Sequence, residues 1–342
     1  MVTKERVELY KIWFDNMSFF GNNSFVLDRV EDLWNLVNYI GESYEILCNY
    51  HIDKDAQYTS MTKEMTLTLV QQFLDRHNIA LNLEQLVKDK TLILESDVFK
   101  DNDFNNFFRC QKDGLSSYDK NNKKIMLINI KNTILDSAVI VHELMHYRNQ
   151  PDDKRNFVSD LLTEALSYGT ELIFFEDLKD TIYCKDRSLH FKLLEKLMYN
   201  YMSQIYYIYK IILIYKRKKD ISENLYNEIF KDSYYEKTLE YFEQYVQQQG
   251  CVLKDTWTVI GLPLAIYILE EYKKNKSFFN CLEFFNSALN IKSLEGCLET
   301  LNIKNKEDLI FKIKLSSNSY IDSLFELYNV SENGKVYHFR KN

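Results

Sequence analysis

Apolar residues recur at helical spacing along most of the chain. From Lys4 to Phe20, from Leu27 to Tyr50 and from Lys63 to His77 they fall three and four positions apart, as in the stripe of Trp34, Leu36, Val37 and Ile40. Such stripes read as helix faces packed into a core. The rhythm changes after residue 90. Thr91 to Leu94 is a short apolar run that predicts a strand. A polar, asparagine-rich stretch around Asp101 to Asn106 follows, Asp113-Gly114 is a turn signal, and Lys124 to Ile130 predicts a second strand. The expectation is a small β element immediately ahead of residue 132.

Beyond it the pattern is helical again. Thr133 stands where a residue caps a helix, with Asp136 three positions on to accept bonds from the free amides of the first turn. No breaker interrupts Ile134 to Gln150, and Pro151 marks the stop. Pro151 to Asn156 predicts a loop, after which Ser159 or Asp160 caps a second helix running through Phe175. Gly250, Pro263 and Gly296 are the interruptions expected in the helices that follow. With eight Gly and two Pro in 342 residues there are too few turn formers for an all-β fold. The reading is a mainly α, multi-helical protein. It comprises an N-terminal helical region over 1–95 and a second over 96–342, as two domains or one continuous one.

Composition narrows the partners. Hydrophobic residues at 46% supply a sizeable core. A net charge of −7 argues against a nucleic-acid partner, which calls for a basic face. The longest apolar run, Ile205 to Tyr215, contains Lys210 and is too short to span a bilayer. The first residues mix acid and base ahead of no apolar run, so neither a secretory signal nor membrane association is expected. Six cysteines without a Cys-x-x-Cys pair suit free thiols in a reducing compartment, so the expected location is cytoplasmic.

The chemistry lies in the helix over 134–150, which contains His142-Glu143-Leu144-Met145-His146. Histidines at i and i+4 stand one above the other on one helix face, where two imidazole nitrogens can reach a single tetrahedral zinc. Glu143 sits beside the first of them, placed to hold and deprotonate a water. Ala138, Val139, Ile140, Val141, Leu144 and Met145 can bury the opposite face. A catalytic zinc wants a third protein ligand and one open position. Glu164, eighteen residues past His146 on the next helix, would return to the metal face if the two helices run antiparallel. The next histidine, His190, belongs to a separate helical stretch. Glu171, two turns beyond Glu164 on the same face, can accept a bond from the outer nitrogen of a ligand histidine, or stand as a plain surface carboxylate.

These residues resemble the thimet oligopeptidase and oligoendopeptidase F family of zinc peptidases. Ile125 to Asn129, Asp136-Ser137 and the His142 to His146 motif are similar to that family's strand, Asn, Asp and His-Glu sequence. Glu164, Ser167 and Glu171 are similar to its Glu-x-x-Ser-x-x-x-Glu helix. Ile260-Gly261-Leu262 with Ala265 resembles its Gly-Leu-Ala helix, and Leu294 to Ile303 with Ile321 to Leu324 its closing helices. The likeness covers roughly residues 115 to 330. It implies a zincin-like, gluzincin-type helical fold with a cleft, one zinc ion held by His142, His146 and Glu164, hydrolysis of short peptides, and a cytoplasmic location. The stretch ahead of the motif is shorter here than in the family, so a shallower or differently lidded cleft is expected. The family's His and Tyr segment before the Gly-Leu helix has no counterpart in Gly250 to Val259. Tyr234, Tyr235, Tyr241 and Tyr245, just upstream, are candidates for its role.

The expected activity is therefore that of a zinc metallopeptidase with Glu143 as general base. Two rivals stand beside it: a non-catalytic protein that keeps zinc and binds a peptide, and a zinc hydrolase acting on a non-peptide amide.

Overall fold

The computed structural model describes residues 57–96, 113–149, 157–187, 189–190 and 254–275, with single positions at 304, 308, 311, 312, 315 and 316. The helices expected over 4–20 and 27–50, the run 205–215, Gly250, Gly296, Tyr234, Tyr235, Tyr241, Tyr245, the loop 151–156 and the tail segments 294–303 and 321–324 lie outside the described residues, apart from isolated positions between the last two. What is described is mainly helical with one small sheet. In chain order the elements are α1 (Lys63–Arg76), α2 (Leu83–Lys88), β1 (Leu92–Glu95), β2 (Gly114–Tyr118), β3 (Lys124–Asn129), α3 (Ile134–Asn149), α4 (Phe157–Asp177) and α5 (Lys254–Asn275). All of them, save the part of α5 before Gly261, belong to one compact unit, Tyr50–Glu195 with Gly261–Asn342. Among the described residues no helix is long and apolar enough to cross a membrane.

Local chemistry accounts for the element ends. Thr62 and Asn82 cap α1 and α2 by accepting bonds from the amides of Met65 and Gln85. The start of α3 is held from one side only. The Asp136 carboxylate accepts from the Lys131 and Thr133 amides at 3.1 and 3.2 Å, whereas the Thr133 hydroxyl meets no partner among the described residues. The second helix begins earlier than expected, so Ser159 and Asp160 lie inside its first turn and neither caps it.

Two further departures have physical causes. Pro263 does not interrupt α5, although an internal proline forfeits one backbone bond. Leu262, Leu264, Ala265, Ile266 and Ile268 around it are all buried, and that burial outweighs the lost bond. Asp113-Gly114 leads into an additional strand, β2, rather than turning directly into β3. The turn falls at Asp119 to Lys123, where the Asp119 carboxylate accepts from the amides of Asn121 and Lys123 and Asn122 takes the left-handed conformation asparagine tolerates.

β3 is the centre of the sheet, with β1 parallel on one side and β2 antiparallel on the other. Leu92 and Leu94 align with Met126 and Ile128, and these with Ser116 and Gly114. Ser116 donates from its hydroxyl to the Glu143 carbonyl at 2.9 Å, so this face of the sheet is the one turned to α3. On the other face Ile93, Leu115 and Ile125 gather round Leu127. Helix α3 is buried almost all round through Ala138, Ile140, Val141, Leu144 and Met145.

Helix α4 packs along α3 and is closed in turn by α5. Two glycines allow that approach: a β-carbon on Gly169 would meet Ile268 at 3.1 Å, and one on Gly261 would meet Ala165 and Glu164 at 3.2 Å. At the end of α4, Asp177 receives the Tyr272 hydroxyl at 2.6 Å, His77 Nε2 at 2.7 Å and Arg76 at 3.1 Å, tying α1, α4 and α5 together. Burial opposes ionisation of Asp177, but the bonds from His77, Tyr272 and Arg76 outweigh it and hold the carboxyl below its usual range.

Candidate metal centre

His142 and His146 project from α3 one turn apart, their rings tilted with centroids 4.8 Å apart. Their Nε2 atoms lie 3.0 Å from each other. Helix α4 returns alongside and brings in Glu164, with Oε1 3.6 Å from His146 Nε2 and Oε2 3.9 Å from His142 Nε2. Donor atoms of these three residues all fall within 4.8 Å of one another, and among the described residues no other group of His, Cys, Asp and Glu does so.

The donor set can be tested against a metal directly. A tetrahedral centre with bonds of about 2.0–2.2 Å separates its donors by about 3.3–3.5 Å. The three observed separations bracket that span, so small side-chain adjustments would bring all three atoms onto one ion. Two imidazoles and a carboxylate are a donor set that zinc accepts and that leaves a fourth position open. Charge favours a cation as well. Glu143, Glu164 and Glu171 surround two imidazoles in a largely buried place. Burial works against a charge on His142, yet the Glu171 carboxylate, followed by Glu143 and Glu164, outweighs it and pushes the imidazole up to about 9. The carboxylates that favour a proton there favour a metal cation for the same reason.

Glu143 is also buried, on the turn between the two histidines, and the N-terminal end of β2 presses against it. A β-carbon on Gly114 would lie 2.7 Å from Glu143 Cγ. Glu171 lies two turns along α4 from Glu164, and its Oε2 is 3.2 Å from His142 Nδ1. That contact leaves Nε2 of the same ring facing His146 and Glu164. Ser167, between the two glutamates, is fully buried and its hydroxyl meets no partner among the described residues.

The structure adds neighbours that the sequence does not place at the centre, among them His190, which the sequence assigns to a separate helical stretch. Tyr168 packs edge-on against His142, ring centroids 4.7 Å apart. It stands four positions after Glu164 and three before Glu171, so helical spacing alone could have placed it on this face. His190 is buried beside Glu171 and stacked on Phe175, with ring centroids 4.2 Å apart. Burial, only partly offset by Glu171, pushes it down to about 4. Tyr58 turns its hydroxyl into the interior, where burial and then the charges of Glu171, Asp186 and Asp113 push the phenol well above its ordinary value. No spacing rule links Tyr58 or His190 to the motif.

Set against known protein families, characterised proteins and solved structures, the chain gives no significant match.

Proposed function

We propose that this chain is a zinc-dependent metallopeptidase acting on short peptides, with the zincin-like architecture of the thimet oligopeptidase and oligoendopeptidase F type. The observation that carries the reading is the convergence of His142, His146 and Glu164 on one point, with the Glu143 carboxylate on the same turn of helix, between the two histidines. Zinc held there would supply Lewis acidity, lowering the pKa of a water toward about 7 and polarising a carbonyl.

The chain's own residues supply the rest. Glu143 is the general base: its carboxylate takes the proton from the attacking water as the oxygen bonds to the peptide carbonyl carbon. It then hands that proton to the amine as the carbon–nitrogen bond breaks, so one peptide and one water yield a carboxylate end and an amino end. Glu171 fixes the tautomer and tilt of His142 by accepting from Nδ1, which keeps Nε2 available as a ligand. Burial of α3 and the weight of Gly114 on Glu143 limit the base to few orientations.

The position of β2 supports a peptide as substrate. Its pairing with β3 uses the backbone groups of Asp113, Leu115 and Ser117, as the bond from the Asn129 amide to the Asp113 carbonyl shows. The amides and carbonyls of Gly114 and Ser116 therefore point to the outer edge, where they meet no partner among the described residues. An extended peptide laid along that edge would find backbone partners beside Glu143.

The test is cleavage of a mixed peptide library by the zinc-loaded chain. Turnover that a chelator stops, zinc restores and Glu143→Gln abolishes with zinc still bound is the expected result. Zinc uptake without any cleavage would favour the peptide-binding alternative, and cleavage indifferent to Glu143→Gln would remove the assigned base.

A further inference from the structure

The proposed centre accounts for His142, His146, Glu143, Glu164 and Glu171, and leaves a third buried histidine beside them unexplained. His190 is almost fully inaccessible, and its Nε2 stands 3.5 Å from Glu171 Oε1, the oxygen that His142 does not use. Neither of its ring nitrogens has a hydrogen bond among the described residues. A polar ring buried without partners is unfavourable unless a group close by can use it, and the nearest such group here is that carboxylate.

The ring is held in place by more than its own packing. The segment after α4 is strapped down at two points just before His190. Arg187 donates from Nε to Glu176 at 3.1 Å in a buried ion pair. The Asp186 carboxylate accepts both the amide and the hydroxyl of Thr59, each at 2.7 Å. Phe175, one turn along α4 from Glu171, stacks on the imidazole at an interplanar angle of 23°. Together these set the edge of the ring toward Glu171.

We infer that His190 is a positioning residue for the metal centre: a small turn of its ring closes the 3.5 Å gap, so that Nε2–H donates to Glu171 Oε1 and fixes the carboxylate that in turn orients His142. The inference rests on the zinc reading of His142, His146 and Glu164. It extends that site by a third layer, in which a histidine holds a carboxylate that holds a ligand histidine. Such outer partners set ligand geometry and so affinity for the ion, and removing one commonly costs roughly tenfold or more.

Zinc titration of the full-length chain, with variants compared at equal folded fraction, tests it. His190→Phe keeps the stack on Phe175 and removes the donor, and is expected to loosen zinc about tenfold. His190→Gln restores an N–H and should recover most of that loss. In a Glu171→Gln background the His190→Phe change should have little further effect, since the relay is already cut. Equal zinc affinity in the parent and His190→Phe would overturn the inference and leave the peptidase reading standing. A parent chain that takes up no zinc would overturn both. Should His190→Phe fail to fold, the imidazole nitrogen resonances of the parent decide: a proton on Nε2 is expected, and one on Nδ1 overturns the assignment.

Discussion

A β-carbon built on Gly114 would lie 2.7 Å from Cγ and 2.9 Å from Oε1 of Glu143, and 2.8 Å from Val139 Cγ1. The first residue of β2 is thus the wall against which the proposed base rests. Gly114→Ala should push Glu143 off its position, because the strand is pinned to β3 and α3 is buried on its other sides. The expected result is a loss of turnover of roughly a hundredfold with zinc content unchanged. The melting temperature should fall by an amount corresponding to about 1–3 kcal/mol of overpacking. Undiminished turnover in this variant would show that the contact does not set the base.

Gly261 plays the corresponding part behind Glu164. An added β-carbon would stand 3.2 Å from the Ala165 amide nitrogen and 3.2 Å from Glu164 Cβ, tight enough that one helix must give. Gly261→Val, with two carbons beyond that β-carbon, should displace α4 at Glu164, the proposed third ligand, weakening zinc binding and costing about 1–3 kcal/mol of stability. Titration with zinc and thermal unfolding read the two effects separately. A variant with unchanged zinc affinity would mean that α5 does not bear on the ligand.

Asp177 makes stability depend on pH in a defined direction. Its carboxyl is held below its unfolded value of about 3.9, so its ionised form stabilises the fold. That contribution is complete above about pH 4 and is lost as the pH falls through the lower, folded value. Asp177→Asn should cost about 1–3 kcal/mol at neutral pH, since the bonds from His77, Arg76 and Tyr272 lose their charged acceptor. It should also flatten the acid limb of the stability profile. Urea unfolding of parent and variant from pH 2 to pH 7 measures both, and parallel profiles would contradict the assignment.

The buried pair of Arg187 and Glu176 supplies a fourth test. Arg187→Leu leaves Glu176 Oε2 without its donor, while Lys179 still pairs with Oε1 at 3.4 Å, so the variant should destabilise by about 1.5–3 kcal/mol. Equilibrium unfolding checks this, and a loss under about 0.5 kcal/mol would mean that Lys179 and solvent suffice for Glu176.

How much of this was legible in the sequence varies with how local each feature is. The helices over 63–76 and 134–149 and the strands at 92–95 and 124–129 follow from spacing and from breakers within a few residues. The facing of His142 and His146 follows from four-residue periodicity. The approach of Glu164 follows from the short link between two helices, which leaves little choice but an antiparallel return. β2 was hidden because Gly114-Leu115-Ser116-Ser117-Tyr118 has no β-branched residue and little alternation. It is a strand because β3 pairs with it, and glycine is suited to its first position because Glu143 lies against it. Pro263 reads as a breaker because the backbone rule takes no account of the burial on both sides of it. His190 and Tyr58 reach the centre only through contacts between segments distant in sequence, such as Thr59 with Asp186, which no local pattern records.

The measurement that bears most directly on the whole account is diffraction at the zinc absorption edge from crystals of the zinc-loaded chain. The account predicts a single anomalous peak bonded to Nε2 of His142, Nε2 of His146 and the Glu164 carboxylate at about 2.0–2.2 Å, with a fourth position open beside Glu143. No peak between those side chains, or one whose shell excludes Glu164, would contradict it.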